Sequence, residues 1–282
     1  MNGLRVSTRG LVHIYRAEGH DVAALSGVDL DIAAGELVGL LGPSGSGKST
    51  LLTLLGGLLR PSAGKIHLGT DELSAVSERR LDELRAGTVA LMLQGAGRNL
   101  LPYLTIEENV AFAQVAAARA GADVPEIADV LDRMGLGPAA SQRPSALTPG
   151  DRQLAAVAVA IAAAPAVLLA DEPTSQLDHA AADLVLRAIE QVNRELGTTV
   201  VLVTHDPAVA DRLPRTVTIR DGRIGGEGRS GEEYAVVTAD GFLPLPSHAL
   251  ADLPPGTLLR LHLTDGVYQL IPEGREAGGA DG

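Results

Sequence analysis

The sequence contains no cysteine, which excludes disulfide bonds, thiol catalysis and metal sites built on thiolates. Basic residues are also in the minority, since 35 Asp and Glu against 23 Lys and Arg give a net charge of −12. That balance disfavours a surface that coats nucleic acid, so we expect no nucleic-acid partner. With 282 residues, of which 45% are hydrophobic, the chain can bury one large core and one small additional unit.

Long apolar runs are absent as well. No stretch reaches the about 20 apolar residues that a membrane-spanning helix needs, and the N-terminal residues show no apolar segment followed by a cleavage site. The longest apolar stretch, 154–170, is rich in alanine and is interrupted by Pro165. We therefore expect a soluble, cytoplasmic protein that reaches a membrane only through a partner.

Lysine is almost missing, because only Lys48 and Lys65 stand against 21 arginines. A chain that uses arginine nearly everywhere keeps a lysine at position 48. This choice indicates a site that needs a compact ammonium on a flexible stem rather than a planar guanidinium.

Lys48 lies in GPSGSGKST (42–50), between the apolar strand LVGLL and the helical segment LLTLLGGLL. A strand, a glycine-rich loop and a helix in this order predict a phosphate site, in which loop N–H groups and the helix N-terminus face the anion. Lys48 would reach the β- and γ-phosphates, and the Ser49 hydroxyl would bind Mg²⁺. The alternative is a glycine-rich turn with an incidental lysine, which the flanking strand and helix disfavour. The expected binding residues are Gly42, Pro43, Ser44, Gly45, Ser46, Gly47, Lys48, Ser49 and Thr50.

Two carboxylates follow a second apolar strand in AVLLADEP (166–173). The run reads as a buried parallel strand, and Asp171 at its carboxyl end lies where such sheets bind ligands. Asp171 can hold Mg²⁺ through water, and Glu172 can polarise an attacking water. A solvated turn is the alternative for an acidic pair alone, but the phosphate loop makes it the weaker interpretation.

A third strand, TVVLVTHD (199–206), ends at His205 and should emerge on the same edge of the sheet as Asp171. A helix from about 178 to 196, closed by Gly197, precedes it. A histidine at a strand end is more often a cap or a surface residue than a catalytic group. The other histidines show no metal-site spacing and are interpreted as surface residues: His13, His20, His67, His179, His248 and His262.

The order of these motifs over residues 5–225 resembles that of ABC-type ATPases, the nucleotide-binding subunits of ATP-binding cassette transporters. The resemblance implies an α/β fold, namely a P-loop NTPase core of ABC type with an antiparallel β subdomain and a helical subdomain at about 95–160. It also implies ATP and Mg²⁺ as cofactors, and ATP hydrolysis as the activity.

The resemblance also assigns roles to single residues. Tyr15 matches the aromatic residue that stacks on adenine, and Gln94 matches the glutamine that senses Mg²⁺ and the γ-phosphate. Mg²⁺ would thus be held by Ser49, Gln94 and Asp171. Catalysis would rest on Glu172 as the general base, with His205 at the γ-phosphate. Asp178, in SQLD, matches a loop that acts across a dimer.

The segments GLLRPSAGKIHL and LSAVSERRLDELRAGTVALMLQ are similar to the lipoprotein-release, macrolide-export and cell-division branch of this family. In that branch the ATPase works with a separate membrane permease, which the segment NLLPYLTIEENV would face. The implied partners are that permease and a second ATPase subunit, in a homo- or heterodimer. The implied location is peripheral, at the inner face of the cell membrane.

The segment ALTPGDRQ (146–153) stands where the family carries its signature, LSGGQ. Thr148 keeps the hydroxyl and Gly150 keeps the second glycine, and both would act across the dimer. Pro149 replaces the first glycine and removes an N–H, while Asp151 adds a negative charge unless it caps the following helix. We expect intact binding with weakened dimer closure, although neutral drift is the alternative.

Residues 226–232 read as a linker, 233–272 as a small β-rich unit and 273–282 as a tail. The β-rich unit shows short strands at AVV, FLPLP, LLRLHL and VYQLI, and it resembles a swapped-hairpin, AbrB-type domain. Its acidic charge favours dimerisation over DNA binding. The alternative is an extension that packs on its own ATPase domain.

The resemblance favours an ATP-hydrolysing transporter subunit that couples dimer closure to the permease. Two other functions stay open, a soluble ABC ATPase and a regulatory ATPase with weak hydrolysis. Soluble ABC ATPases usually carry two cassettes, whereas this chain shows one. The altered signature segment keeps the regulatory function open.

Overall fold

The computed structural model describes residues 3–17, 20–229, 232–237, 241–245, 249–264 and 266–273. The strands are, in chain order, β1 (Val6–Ala17), β2 (His20–Ile32), β3 (Leu37–Leu41), β4 (Ala63–Leu68), β5 (Asp71–Glu72), β6 (Val89–Met92), β7 (Val167–Asp171), β8 (Thr199–Val203), β9 (Arg215–Arg220), β10 (Arg223–Arg229), β11 (Glu232–Ala235), β12 (Leu259–Thr264) and β13 (Val267–Pro272). The helices are α1 (Lys48–Leu55), α2 (Glu78–Gly87), α3 (Ile106–Arg119), α4 (Ile127–Arg133), α5 (Pro149–Ile161), α6 (His179–Leu196), α7 (Pro207–Ala210) and α8 (Ala249–Asp252). Short 3-10 turns lie at Ala96–Arg98, Gly137–Ala139 and Pro144–Ala146.

The central sheet has the strand order β11-β10-β9-β3-β8-β7-β6. Its middle is parallel, because β3 pairs with β8 and β9, and β7 pairs with β8 and β6. The apolar runs of β3, β7 and β8 are buried almost throughout, as parallel strands covered on both faces should be. A separate antiparallel sheet, β2-β1-β4-β5, forms the β subdomain.

Parallel pairing places the site residues at one edge of the central sheet. Asp171 at the end of β7 pairs with Val203 at the end of β8, and Leu40 of β3 also pairs with Val203. The loop after β3, the acidic pair after β7 and the histidine after β8 therefore leave the sheet at the same edge. Ligands bind at such an edge in open α/β sheets.

Apolar side chains pack on both faces of the central sheet. One cluster joins α3, α5 and α6 to β7 and β8, through residues such as Val110, Ala155, Ile189 and Leu202. The other joins α1 and the β subdomain to the opposite face, through residues such as Leu25 and Leu52. The α/β core, the β subdomain and the helices α3 to α5 agree with the predicted fold class.

The C-terminal part differs from the sequence interpretation. Residues 226–229 belong to β10, which pairs with β9 and β11, so the predicted linker over 226–232 is wrong for its described part. Glycine is needed where β10 passes close to β9, because a Cβ atom at Gly228 would lie 2.4 Å from Thr216 Oγ1. The predicted strand FLPLP is also wrong, since residues 242–245 form no strand, whereas LLRLHL and VYQLI form the β12-β13 hairpin. Of the predicted tail over 273–282, residues 274–282 lie outside the described residues.

Within the described ranges, no helix has the length and the apolar character needed to cross a membrane.

Candidate active site

A cavity of about 650 Å³ opens at the carboxyl edge of the central sheet. Residues 22–24 of β2 form part of its wall, which the sequence interpretation missed. The cavity brings together most of the sequence-predicted site residues, namely Tyr15, Gly42, Pro43, Ser44, Gly45, Gly47, Lys48, Ser49, Thr50, Gln94, Asp171, Glu172 and His205. Ser46 lies behind this wall, where its side chain is buried.

The loop 42–47 curls because its glycines adopt backbone angles that other residues avoid. Gly42 has φ +139°, and a Cβ atom there would lie 2.1 Å from the carbonyl oxygen of Ile219. Gly47 has φ +101° and precedes α1. No side chain caps α1, and its first turn holds no acidic residue. The main-chain N–H groups of that turn therefore remain available to an anion in the loop.

Lys48 is the first residue of α1, and its side chain is buried inside the loop. Its Nζ donates hydrogen bonds to the carbonyl oxygens of Gly42 and Pro43, at 2.9 Å and 2.7 Å. Burial lowers the pKa of Lys48, and the negative charges of Glu172 and Asp171 partly offset that effect. The ammonium is therefore held at the centre of the phosphate loop.

Asp171 ends β7 beside the first turn of α1. Burial raises the pKa of Asp171, a hydrogen bond from Ser49 lowers it, and the nearby charge of Glu172 raises it further. A carboxylate in this position is desolvated and gains from a cation. Ser49, Gln94 and Asp171 supply hydroxyl, amide and carboxylate oxygens, which are the donors that Mg²⁺ prefers, so the residues fit this ion. Among the described residues, no group of three or more His, Asp or Glu forms a metal site made only of such side chains.

Glu172 lies between two other cavity residues. Gln94 Nε2 donates to one carboxylate oxygen at 2.7 Å, and His205 Nδ1 lies 3.0 Å from the other. An ionised carboxylate only accepts, so Nδ1 of His205 carries the hydrogen in this arrangement. The backbone of Glu172 is left-handed, with φ +47°, a strained conformation for a non-glycine residue. Two hydrogen bonds hold it there: its N–H donates to the carbonyl oxygen of Val203, and its own carbonyl oxygen accepts from the Ser175 hydroxyl.

Tyr15 stands at the mouth of the cavity on β1 and is fixed from two sides. Its hydroxyl lies 3.3 Å from Thr50 Oγ1 on α1. Its ring meets the ring of His13 edge to face, with the centroids 4.7 Å apart. The interpretation of His13 as a surface residue is wrong, because its side chain is buried beneath Tyr15. Spacing alone does not signal this contact, because the pairing of β1 with β2 shifts register between His13 and Ile14.

The predicted cross-dimer residues lie outside this cavity. Thr148 caps α5, Asp178 caps α6, and Gly150 lies against Ala181 of α6. The alternative in which Asp151 caps α5 is wrong, because the cap is Thr148. Asp151 stands three positions later, where its N–H donates to Thr148 Oγ1 at 3.1 Å and its carboxylate accepts from the same hydroxyl at 2.7 Å.

Known proteins resemble this chain at the level of family and fold. The family model described as ABC transporter matches residues 25–175. A lipoprotein-releasing system ATP-binding protein of Caulobacter vibrioides, LolD 2, is 40% identical over 220 residues, covering 78% of this chain and 96% of its own. The corresponding LolD protein of Anaeromyxobacter dehalogenans is 43% identical over 212 residues, covering 73% and 88%. A macrolide export ATP-binding/permease protein, MacB, of Rhodopirellula baltica is 37% identical over 223 residues, which are 78% of this chain and 32% of that protein.

A solved structure has the same fold. It is a dimeric ATP-binding cassette in a post-hydrolysis state bound to ADP and phosphate, with a TM-score of 0.71 and 30% identity. The match covers 79% of this chain and 98% of that one. These similarities confirm the predicted fold class and activity. The chain belongs to the ABC transporter family, as an ATP-binding subunit with ATPase activity from the lipoprotein-release and macrolide-export branch.

Proposed function

We propose that the chain hydrolyses ATP with Glu172 as the general base, in a dimer that drives a separate membrane permease from the inner face of the cell membrane. The observation that carries the catalytic part is the Glu172 carboxylate, held between Gln94 and His205 at the mouth of the phosphate loop. Each carboxylate oxygen thus has one hydrogen-bond partner, and the remaining lone pairs can take a proton from water. Proton transfer by a positioned side chain requires this geometry.

The other cavity residues stabilise the transferring phosphoryl group. The Lys48 ammonium and the N–H groups of the loop neutralise charge on the β- and γ-phosphates, and the face of Tyr15 receives the adenine. Mg²⁺, held by Ser49, Gln94 and Asp171, would supply further positive charge at the phosphates. Glu172 then takes the proton of the attacking water.

Replacing Glu172 by glutamine tests this assignment, because the amide keeps the shape and removes the base. We expect the affinity for ATP to stay within a factor of about two and the turnover number to fall at least about 100-fold. Phosphate release and equilibrium binding of a fluorescent ATP analogue measure the two quantities. Turnover at the parental rate would reject Glu172 as the base, and a parental enzyme with almost no turnover would favour the regulatory alternative.

The permease surface is proposed from exposed aromatic side chains. Tyr103 and Phe112 are 65% and 63% exposed, in the segment that joins Gln94 to α3 and in α3 itself. Exposed aromatic residues commonly anchor protein interfaces. This segment follows the residue that contacts Glu172, so a partner docked there would sense the state of the site.

Membrane attachment gives a test of that surface. We expect the variant Tyr103→Ser with Phe112→Ser to sediment less with membranes that contain the permease than the parent does. Leu184→Ser, which removes an equally exposed apolar side chain from α6, is the matched control. Equal loss in both variants would show that general stickiness, and not this surface, causes the attachment.

We also propose that residues 233–272 join two copies of this chain. In the β12-β13 hairpin, Leu263 pairs with Tyr268, and both side chains are exposed, at 55% and 71%. Leu261 pairs with Leu270 on the same face. A hairpin of two strands is marginally stable alone, so this face gains from a second apolar face. A second copy of this chain supplies an identical face.

The two faces of the hairpin allow a matched experiment in the full chain. Leu263→Ser with Tyr268→Ser should raise the dissociation constant of self-association without nucleotide by about tenfold or more. His262→Ser with Gln269→Ser alters the neighbouring pair on the opposite face and should leave it unchanged. Sedimentation equilibrium measures both. A dissociation constant that neither variant changes would support an extension that packs on its own ATPase domain, and an equal rise in both would reject this face as the contact.

A further inference from the structure

The loop that follows β6 is closed by the side-chain amide of Asn99. Leu93 N donates to Asn99 Oδ1 at 2.8 Å, and Asn99 Nδ2 donates to the carbonyl oxygens of Leu93 at 2.7 Å and Gly95 at 2.9 Å. The amide thus pairs with the main chain of Leu93 as a neighbouring strand would. Asn99 is half-buried, and it does not line the cavity of the site.

These hydrogen bonds fix the main chain on both sides of Gln94. Gly95 has φ +83°, which sets the turn that directly follows. The side chain of Gln94 is exposed, so surrounding side chains do not enclose it as they enclose a buried residue. Ordering a long side chain costs about 1.5–2 kcal/mol of rotamer entropy. The hydrogen bond from Gln94 Nε2 to Glu172 therefore depends on the position and direction that the main chain gives to the Gln94 side chain.

We propose that Asn99 is a positioning residue for ATP hydrolysis, whose amide holds the main chain around Gln94 so that Gln94 fixes Glu172. This inference rests on the proposed role of Glu172 as the base. The role needs an amide, because it combines one acceptor with two donated hydrogen bonds. A carboxylate of the same shape accepts from Leu93 N but repels the two carbonyl oxygens.

The experiment uses Asn99→Asp in the full chain. We expect its turnover number to fall about tenfold, with ATP affinity within a factor of two, because the loss of two hydrogen bonds leaves Glu172 less well held. In a Gln94→Ala background the same substitution should change turnover less than twofold, because its effect passes through Gln94. The control is Asn193→Asp, since the Asn193 amide in α6 donates to the carbonyl oxygens of Gly35 and Thr198, which precede β3 and β8 at the end of the strands opposite the site. This control should keep parental turnover.

A second readout does not depend on activity. The chain has no tryptophan, and a Cβ atom added at Gly97 would meet no atom within 4 Å. Fluorescence anisotropy of Gly97→Trp therefore reports motion of this loop alone. We expect the anisotropy to fall when Asn99→Asp or Asn99→Ala is added, and to stay constant when Asn193→Asp is added.

The outcomes separate this inference from the proposed function. If Gln94→Ala and Glu172→Gln keep parental turnover, the proposed function fails. If those two variants lose turnover but Asn99→Asp keeps it, or lowers it equally in the Gln94→Ala background, Asn99 is not a positioning residue. Unchanged anisotropy in Gly97→Trp would also overturn the inference. If Asn99→Asp folds poorly, Asn99→Ala takes its place in this measurement.

Discussion

Two helix N-termini of this chain carry family motifs, the phosphate loop at α1 and the signature segment at α5, but they are built differently. The first turn of α1 has a glycine before it, no side-chain cap and no acidic residue. The first turn of α5 has Thr148 as its cap, Pro149 without an N–H, and Asp151. The first leaves its N–H groups to an anion, whereas the second satisfies its own N–H group and adds a negative charge. We therefore expect a strong phosphate site at α1 and a weak one, acting across a dimer, at α5.

The strong site should fail when its charge is removed. Lys48→Ala should weaken ATP affinity by about 100-fold, because charge-assisted contacts to two phosphates are lost. Isothermal titration with ATP and Mg²⁺ measures the change. Lys65→Ala is the control, since Lys65 is exposed and pairs with Glu72. Equal affinity in Lys48→Ala and the parent would remove the basis of the comparison.

The weak site should improve when the family pattern is restored. Pro149→Gly with Asp151→Gln should raise turnover about tenfold, because a charge-assisted hydrogen bond is worth about 1.5–3 kcal/mol and can form across the closed dimer. ATP affinity of the monomer should not change. Steady-state assays at matched protein concentration decide it. A rate that is unchanged or lower would mean that 146–153 is competent as it stands, or belongs to the idle site of a heterodimer.

The difference can also be transferred from one helix to the other. Thr50 stands three positions after the cap of α1, as Asp151 does in α5. Thr50→Asp should weaken ATP affinity about fivefold, because it places a carboxylate near the phosphates. Thr50→Asn has the same shape without the charge and loses the same contact to Tyr15, so it is the matched control. Similar affinities in the two variants would show that charge in the first turn is unimportant.

The smallest effect concerns stability and its pH dependence. Because burial raises the pKa of Asp171, the folded protein holds this proton more tightly than the unfolded chain does. The free energy of unfolding therefore falls as the pH rises from the usual carboxyl range to the raised pKa, and the loss is complete above that raised pKa. Asp171→Asn avoids this loss.

We expect Asp171→Asn to raise the Tm by about 2–4 °C at neutral pH without nucleotide. The gain should shrink as the pH is lowered into the range where Asp171 protonates, and the added stability from ATP with Mg²⁺ should be smaller in the variant. Thermal unfolding followed by circular dichroism over a pH series measures it. A gain that does not depend on pH would reject desolvation of Asp171 as its cause.

The part of the site that follows strands could be predicted from the sequence. The phosphate loop, Asp171 and His205 each come directly after an apolar run, and parallel strands bring such ends to one edge. The contact between Gln94 and Glu172 joins residues 78 positions apart, so spacing alone does not predict it. Asn99 and His13 were missed because their roles depend on packing. The linker was predicted from glycine content, which also suits a strand beside close neighbours.

Lys48 also gives the protein a chemical handle. Acylating reagents attack the uncharged amine, and the lowered pKa of Lys48 increases that fraction at neutral pH. Lys65, the second lysine, is exposed and paired with Glu72. An acylating probe that carries a phosphate chain would thus mark one side chain in the cavity, with a built-in reference at Lys65. Because the chain has only these two lysines, the ratio of acylation at Lys48 to that at Lys65, measured by mass spectrometry, reports how much of the cavity is occupied by nucleotide.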